Sequence, residues 1–170
     1  MSEEILRWVE VVFDVAYLLV IWTLVTIMVK RRPAIAAADR PVAGYFTTAF
    51  ALLAIGDTFH LSLRIMSHMK GSLATTHTVL GQPVTISLGA LLTGITLTFF
   101  YVLVLKAWRS RFAKSYGWFG CFQLGAAAVR LLLFLHPANK WNSPIAPVDW
   151  SIYRNIPLFL LFGGRVPYLE

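Results

Sequence analysis

Residues 9–29 read VEVVFDVAYLLVIWTLVTIMV, and the reading of this stretch decides the fold. An apolar run of about 18 residues or more argues for a membrane span. This one carries Glu10 and Asp14 near its start, which makes it too polar for a signal-peptide core, and it is also too long for one. The KRRP that follows at 30–33 has the character of a stop-transfer flank. Further along, four more runs share its composition. They fall at about 42–66, 83–105, 118–136 and 152–168. Pro83 suits the first turn of the third. Pro137 closes the fourth, and Gly163, Gly164 and Pro167 interrupt the fifth.

Composition agrees. The chain is 58% hydrophobic and 14% charged, with a mean hydropathy of +0.68. A soluble domain is nearer about 45–50% apolar and 25% charged and could not hide this much apolar surface. The runs are continuous and do not alternate, which argues against a membrane β-barrel. The expectation is an all-α polytopic transmembrane helix bundle of about five spans, forming a single domain over residues 1–170. The lone Cys121 excludes an internal disulfide, and its apolar surroundings predict a buried, inert thiol.

Basic residues set the expected orientation. Lys30, Arg31, Arg32 and Arg40 flank one connection, and Lys106, Arg109, Arg111 and Lys114 another. The remaining connections hold only Lys70 and Lys140, and the N-terminal flank only Arg7. Lys and Arg concentrate on the cytoplasmic side. The N-terminus is therefore expected outside, in a multi-pass protein of the inner (plasma) membrane. The same clusters account for most of the basic excess behind the net charge of +7, so no nucleic-acid partner is called for. Anionic lipid of the bilayer is a sufficient use. Trp8, Trp108, Trp118, Trp141 and Trp150 sit where interfacial belts are expected.

Within the spans, ionisable residues recur at one depth. Asp57, His60 and Arg64 fall at i, i+3 and i+7, on one helix face, as do Arg7, Glu10 and Asp14. Arg130, Arg154 and Asn155 lie at comparable depth in the outer half, with Thr85 and Ser87. A charge facing lipid at mid-bilayer costs at least about 2.5–3.5 kcal/mol. These faces are therefore expected to turn inward and meet, with Asp14 and Asp57 balanced against Arg130 and either Arg64 or Arg154. The expectation is an outward-facing polar pocket for a small or lipid-like anionic ligand, built from Asp14, Asp57, His60, Arg64, Arg130, Arg154 and Asn155. Its arginines suit a carboxylate or phosphate. A sensor, a binding component or a transport component would all use such a site. No charged side chain lines the inner half, so no through-path is expected.

Other chemistries are weaker in the sequence. Zinc needs three or four protein ligands, and Asp57, His60 and His136 are the available set. They define the alternative of a metal-dependent intramembrane hydrolase, with no other cofactor expected. His60 and His136 differ too much in depth to share a haem. Ser62 is two residues from His60 and points elsewhere on the helix, which excludes a triad with Asp57. His68 and His77 are read as loop residues. Gly89, Thr93, Ala90, Gly94 and Thr98 form small-residue stripes of the kind that let helices approach, with Gly125–Ala128 as a partner surface. The loop PANKWNSPIAPVDW, 137–150, is expected to fold over the outer mouth. A structural or partner-binding subunit is the third reading, with a homo-oligomer left open.

Three stretches carry a resemblance: GDTFHLSLRI (56–65), LLTGITLTFFYVLV (91–104) and NKWN…DWSIYRNIPLFLLFG (139–163). They resemble an uncharacterised family of prokaryotic multi-span membrane proteins. The resemblance implies a helical membrane architecture with more spans than appear here, and it implies no activity.

Overall fold

Glu3–Arg31 forms the first helix, α1, of a computed structural model that describes residues 2–163. Ser2 caps it, and Lys30 and Arg31 in its last turn complement the helix dipole. Two short 3-10 turns lead to α2, Arg40–Met69. A two-stranded hairpin follows, β1 His77–Val79 and β2 Gln82–Val84. Then come α3 at Ile86–Phe112, α4 at Trp118–Phe134, a 3-10 turn at Pro137–Asn139, and α5 at Val148–Gly163. The part of the expected fifth span beyond residue 163 lies outside the described residues.

The bundle is a serpentine of antiparallel neighbours. α1 packs on α2, α2 on α3, α3 on α4, and α4 on α5. Three helical segments, Glu3–Ala34, Ala37–Met69 and Ile86–Phe112, are long and apolar enough to cross a membrane, and α4 is a shorter apolar helix. Only 17–22% of the most apolar window of each long segment is buried inside the protein. Val12, Phe13 and Leu19 are each about two-thirds exposed. Such surface in water would drive aggregation. A hydrocarbon solvent accepts it without cost, so this surface is compatible with helices that cross a membrane.

One end of the bundle holds the hairpin and the 137–147 loop. The other holds the basic connections, where Arg111 pairs with Asp39 across the α1–α2 turn. At the hairpin, Pro83 does not open a helix as the sequence predicts. It lies in β2 opposite Thr78, where a two-stranded ribbon tolerates the missing N–H. The helix starts at Ile86 because Thr85 caps it, its Oγ1 accepting from Leu88 N. The strands are joined by Leu80 and Gly81, both at positive φ, the twist that a two-residue hairpin turn requires.

Close approach of α2 and α3 rests on glycine. A Cβ on Gly56 would lie 2.0 Å from Thr96 Oγ1 and 3.1 Å from the Thr93 Cα; one on Gly89 would lie 2.8 Å from the His60 Cα. Thr93 Oγ1 donates to the freed Gly56 carbonyl at 2.9 Å. Of the expected partner surface on α4, Ala126 and Ala127 are buried against Leu161, Tyr101 and Val102, while Gly125 and Ala128 face outward. Cys121 is exposed, against expectation, because α4 buries the face of Gly120, Gln123, Ala127 and Arg130 instead.

Candidate functional site

The ionisable residues do meet one another, in two groups rather than one. The first lies on the α1–α2 seam. Arg64 reaches back across it to Glu10 at 3.0 Å and to Asp14 at 3.4 Å. His68 Nε2 stands 2.9 Å from the same Glu10 carboxylate. One to two turns deeper, Tyr17 donates to Asp57 Oδ2 at 2.5 Å. Beside it Trp22 reaches Thr58 and donates to it at 2.9 Å, and Ile21, Val25 and Ala54 form an apolar cluster in the inner part of the seam. The helical repeat explains the order. Glu10, Asp14 and Tyr17 are spaced i, i+4, i+7, and on the antiparallel partner the first two meet Arg64 and the third Asp57.

The second group lies between α3, α4 and α5. Arg130 is 2% exposed. Its Nη1 donates to the Gly94 carbonyl at 3.0 Å and to Thr98 Oγ1 at 2.6 Å, and its Nη2 to Asn155 Oδ1 at 3.1 Å. Its Nε is buried without a hydrogen-bond partner. Gly94 is what makes the seat: a side chain there would strike Phe134, whose ring lies under the guanidinium. Arg154, also buried, donates to Asn139 Oδ1 and Ser151 Oγ and lies over the Trp141 ring.

The predicted balance of Asp14 and Asp57 against Arg130 is therefore corrected. Arg64 alone of the expected arginines meets a carboxylate. Among the described residues, neither Arg130 nor Arg154 forms an ion pair. The reason is α3, which stands between the groups. Its Thr93 faces α2 and its Gly94 and Thr98 face α4. Neighbouring residues of one helix point about 100° apart, so the two sites cannot share a centre.

The remaining histidines are placed differently from expectation. His68 belongs to the last turn of α2 and is buried. His77, 1% exposed, packs its Nε2 against Ser67 Oγ at 2.7 Å. Burial, with Lys70 adding to it, holds His77 below the ordinary histidine range. His136 lies just past α4 and caps the 3-10 turn that follows; it stacks on Trp150 at 4.1 Å and accepts from Ala138 N. His60 packs against Gly89 of α3. Among the described residues no three His, Cys, Asp or Glu side chains converge on a point where a metal ion could sit. Asp57, His60 and His136 therefore do not assemble into a ligand set here.

The 137–150 loop does fold over the bundle end. Trp141 donates to the Phe134 carbonyl, Thr85 donates to the Trp141 carbonyl, and fully buried Asn139 ties Leu133 and His136 to Arg154. Sequence reasoning missed Tyr17, Asn139 and the Ser67–His77 pair. Tyr17 was within reach, lying i+7 from Glu10 on a charged face; Asn139 and His77 carry no periodic signal.

Two cavities accompany these groups. One of about 380 Å³ opens at the hairpin end and is lined by Glu4, Arg7, Trp8, Val11, His68 and Met69. Another of about 550 Å³, almost wholly apolar, lies toward the basic end, among them Tyr101, Trp108, Arg111 and Gln123. No protein-family model matches the chain, and neither a curated protein nor a solved structure is significantly similar to it.

Proposed function

We propose that this is a membrane protein whose helices bind a small or lipid-like anion at Arg130 and Arg154. One observation carries the reading: two buried guanidiniums with no carboxylate paired to either among the described residues. An uncompensated buried charge costs several kcal/mol. Neutral acceptors such as Gly94 O, Thr98 and Asn155 lower that cost without cancelling the charge. A carboxylate or phosphate would cancel it, and guanidinium is the group best matched to either.

The fuller architecture belongs to this reading. Five spans follow from the apolar runs, and an extracytoplasmic N-terminus and an inner-membrane location from the basic residues at 30–40 and 106–114. The hairpin end then faces out, and the Arg130 site lies above mid-membrane. A second reading has its own support: Arg130 joins α3, α4 and α5 through three acceptors, as a purely structural staple would.

Thermal unfolding of the purified protein in neutral detergent separates the two. The probes are inorganic phosphate, oleate and phosphatidylglycerol, each against phosphatidylcholine. Binding predicts that at least one anion raises Tm by several degrees and that Arg130→Gln or Arg154→Gln abolishes the rise. Equal shifts in wild type and both variants, or none in wild type, leave only the staple.

A further inference from the structure

The anion reading leaves the basic end of the bundle unused, and the larger cavity lies there. One wall of it is a face of α3: Tyr101, Val104, Leu105, Trp108, Arg111 and Phe112 all line it. These positions recur every three or four residues, so they form a single stripe along the helix. From Tyr101 to Phe112 the stripe runs about 16 Å, close to half of the roughly 30 Å hydrocarbon core of a bilayer. Val42 and Phe46 of α2 and Leu124 of α4 add apolar lining. At the deep end Leu161 of α5 clusters with Tyr101 and Val102, and buried Gln123 donates to the Leu161 carbonyl at 3.4 Å. Water does not suit this slot, since a held water needs about two to four polar partners and the lining is almost wholly apolar. At about 550 Å³ it is far larger than a packing void and has the size of a ligand site.

The other end of the slot is charged. Arg111 stands there, exposed and paired with Asp39 through Nη1. A guanidinium has several more N–H donors than that pair uses. Lys114 Nζ lies 5.3 Å over the ring of Trp108, which itself lines the slot. Asp39 is the one acid within residues 30–40 and 106–114, which hold eight Lys and Arg, so this end keeps a large positive excess.

We propose that the slot takes one acyl chain of an anionic phospholipid from the leaflet at the basic end, with the phosphate at Arg111 and Lys114. The stripe has the length of one leaflet, its wall suits the chain, and the cations at its mouth suit the headgroup. This site is separate from the first. Gly94 and Thr98, which seat Arg130, lie about 20–25 Å along α3 from Arg111.

The test uses the full chain in neutral detergent. The probes are phosphatidylglycerol with a diazirine in one acyl chain, the matching phosphatidylcholine, and a diazirine-bearing palmitate. After irradiation, peptide mass spectrometry reads the labelling of residues 101–112. Exposed Val12, Phe13 and Leu19 of α1 serve as the reference for lipid that only coats the bundle. Each Lys or Arg beside an anionic lipid surface favours binding by about fivefold. Phosphatidylglycerol is therefore expected to label 101–112 at least about fivefold more than phosphatidylcholine, with no such preference at α1. Arg111→Gln/Lys114→Gln, two changes at exposed side chains, is expected to remove the preference. Arg130→Gln is expected to leave it unchanged, so failure of the anion reading does not carry over to this site. A preference at 101–112 no greater than at α1, or one that survives the double variant, overturns the proposal. Palmitate labelling 101–112 as strongly as phosphatidylglycerol overturns it in favour of a free fatty acid. Absence of labelling there by any probe, as a slot filled by protein would give, overturns it too.

Discussion

Arg130 and Asp57 are separated by the width of one helix, and single residues of that helix decide what each can touch. Gly94 leaves its carbonyl open to Arg130, and Thr93 closes over Gly56 beside Asp57. The glycines at these crossings are steric requirements. Gly56→Ala would drive a methyl into Thr96 Oγ1 and the Thr93 backbone, and helix backbone cannot yield as a side-chain tip can. It is expected to cost about 1–3 kcal/mol in unfolding free energy by denaturant titration in detergent. Gly125→Ala meets nothing within 4 Å and is expected to cost nothing measurable. Equal losses at the two sites would show that the α2–α3 contact is not as close as described.

At the scale of the element, the hairpin carries a pH dependence of its own. His77 is enclosed, and its Nε2 meets Ser67 at the end of α2, so the ribbon is tied to the helix it follows. Burial and Lys70 hold its folded pKa down, whereas the unfolded chain returns it to the ordinary value of about 6.5. Just below that value the unfolded state binds more protons, so stability rises with pH there. The contribution is complete above about pH 7 and is lost as pH falls through the ordinary histidine range toward the lowered folded value. Thermal unfolding between about pH 7.5 and 5 is expected to show a falling Tm, and His77→Gln a flatter profile. A wild-type Tm that rises on acidification would contradict this account of His77. The 137–147 loop is tied down too, since side chains of Asn139, Trp141 and Thr85 bond backbone carbonyls at the end of α4 and in the loop itself.

For the whole molecule, the separation of polar contacts from lipid-exposed surface dictates topology. The two ends differ in charge, and the charge-bias rule predicts the basic end inside. With exposed Cys121 replaced by serine, a cysteine at Leu80, almost fully exposed at the hairpin tip, is expected to react with a membrane-impermeant maleimide applied to intact cells. One at Lys114 is expected to react only after lysis. The reverse pattern would invert the orientation.

Much of this was determined by the sequence by itself. Apolar run length specified membrane helices, since the bilayer imposes a minimum span. The i, i+3, i+7 spacing of Asp57, His60 and Arg64 put them on one face, and the cost of charge in hydrocarbon turned that face inward. Periodicity along one helix does not say which neighbour a face meets. That depends on the rotation and order of the helices, which packing at Gly56, Gly89 and Gly94 sets. Only the tertiary structure therefore decided that acids and arginines divide across α3, leaving Asp57 with Tyr17 and Arg130 with backbone, threonine and asparagine. It also decided that Pro83 lies in a strand, since a cap at Thr85 and a latch to Trp141 are contacts between segments distant in the chain.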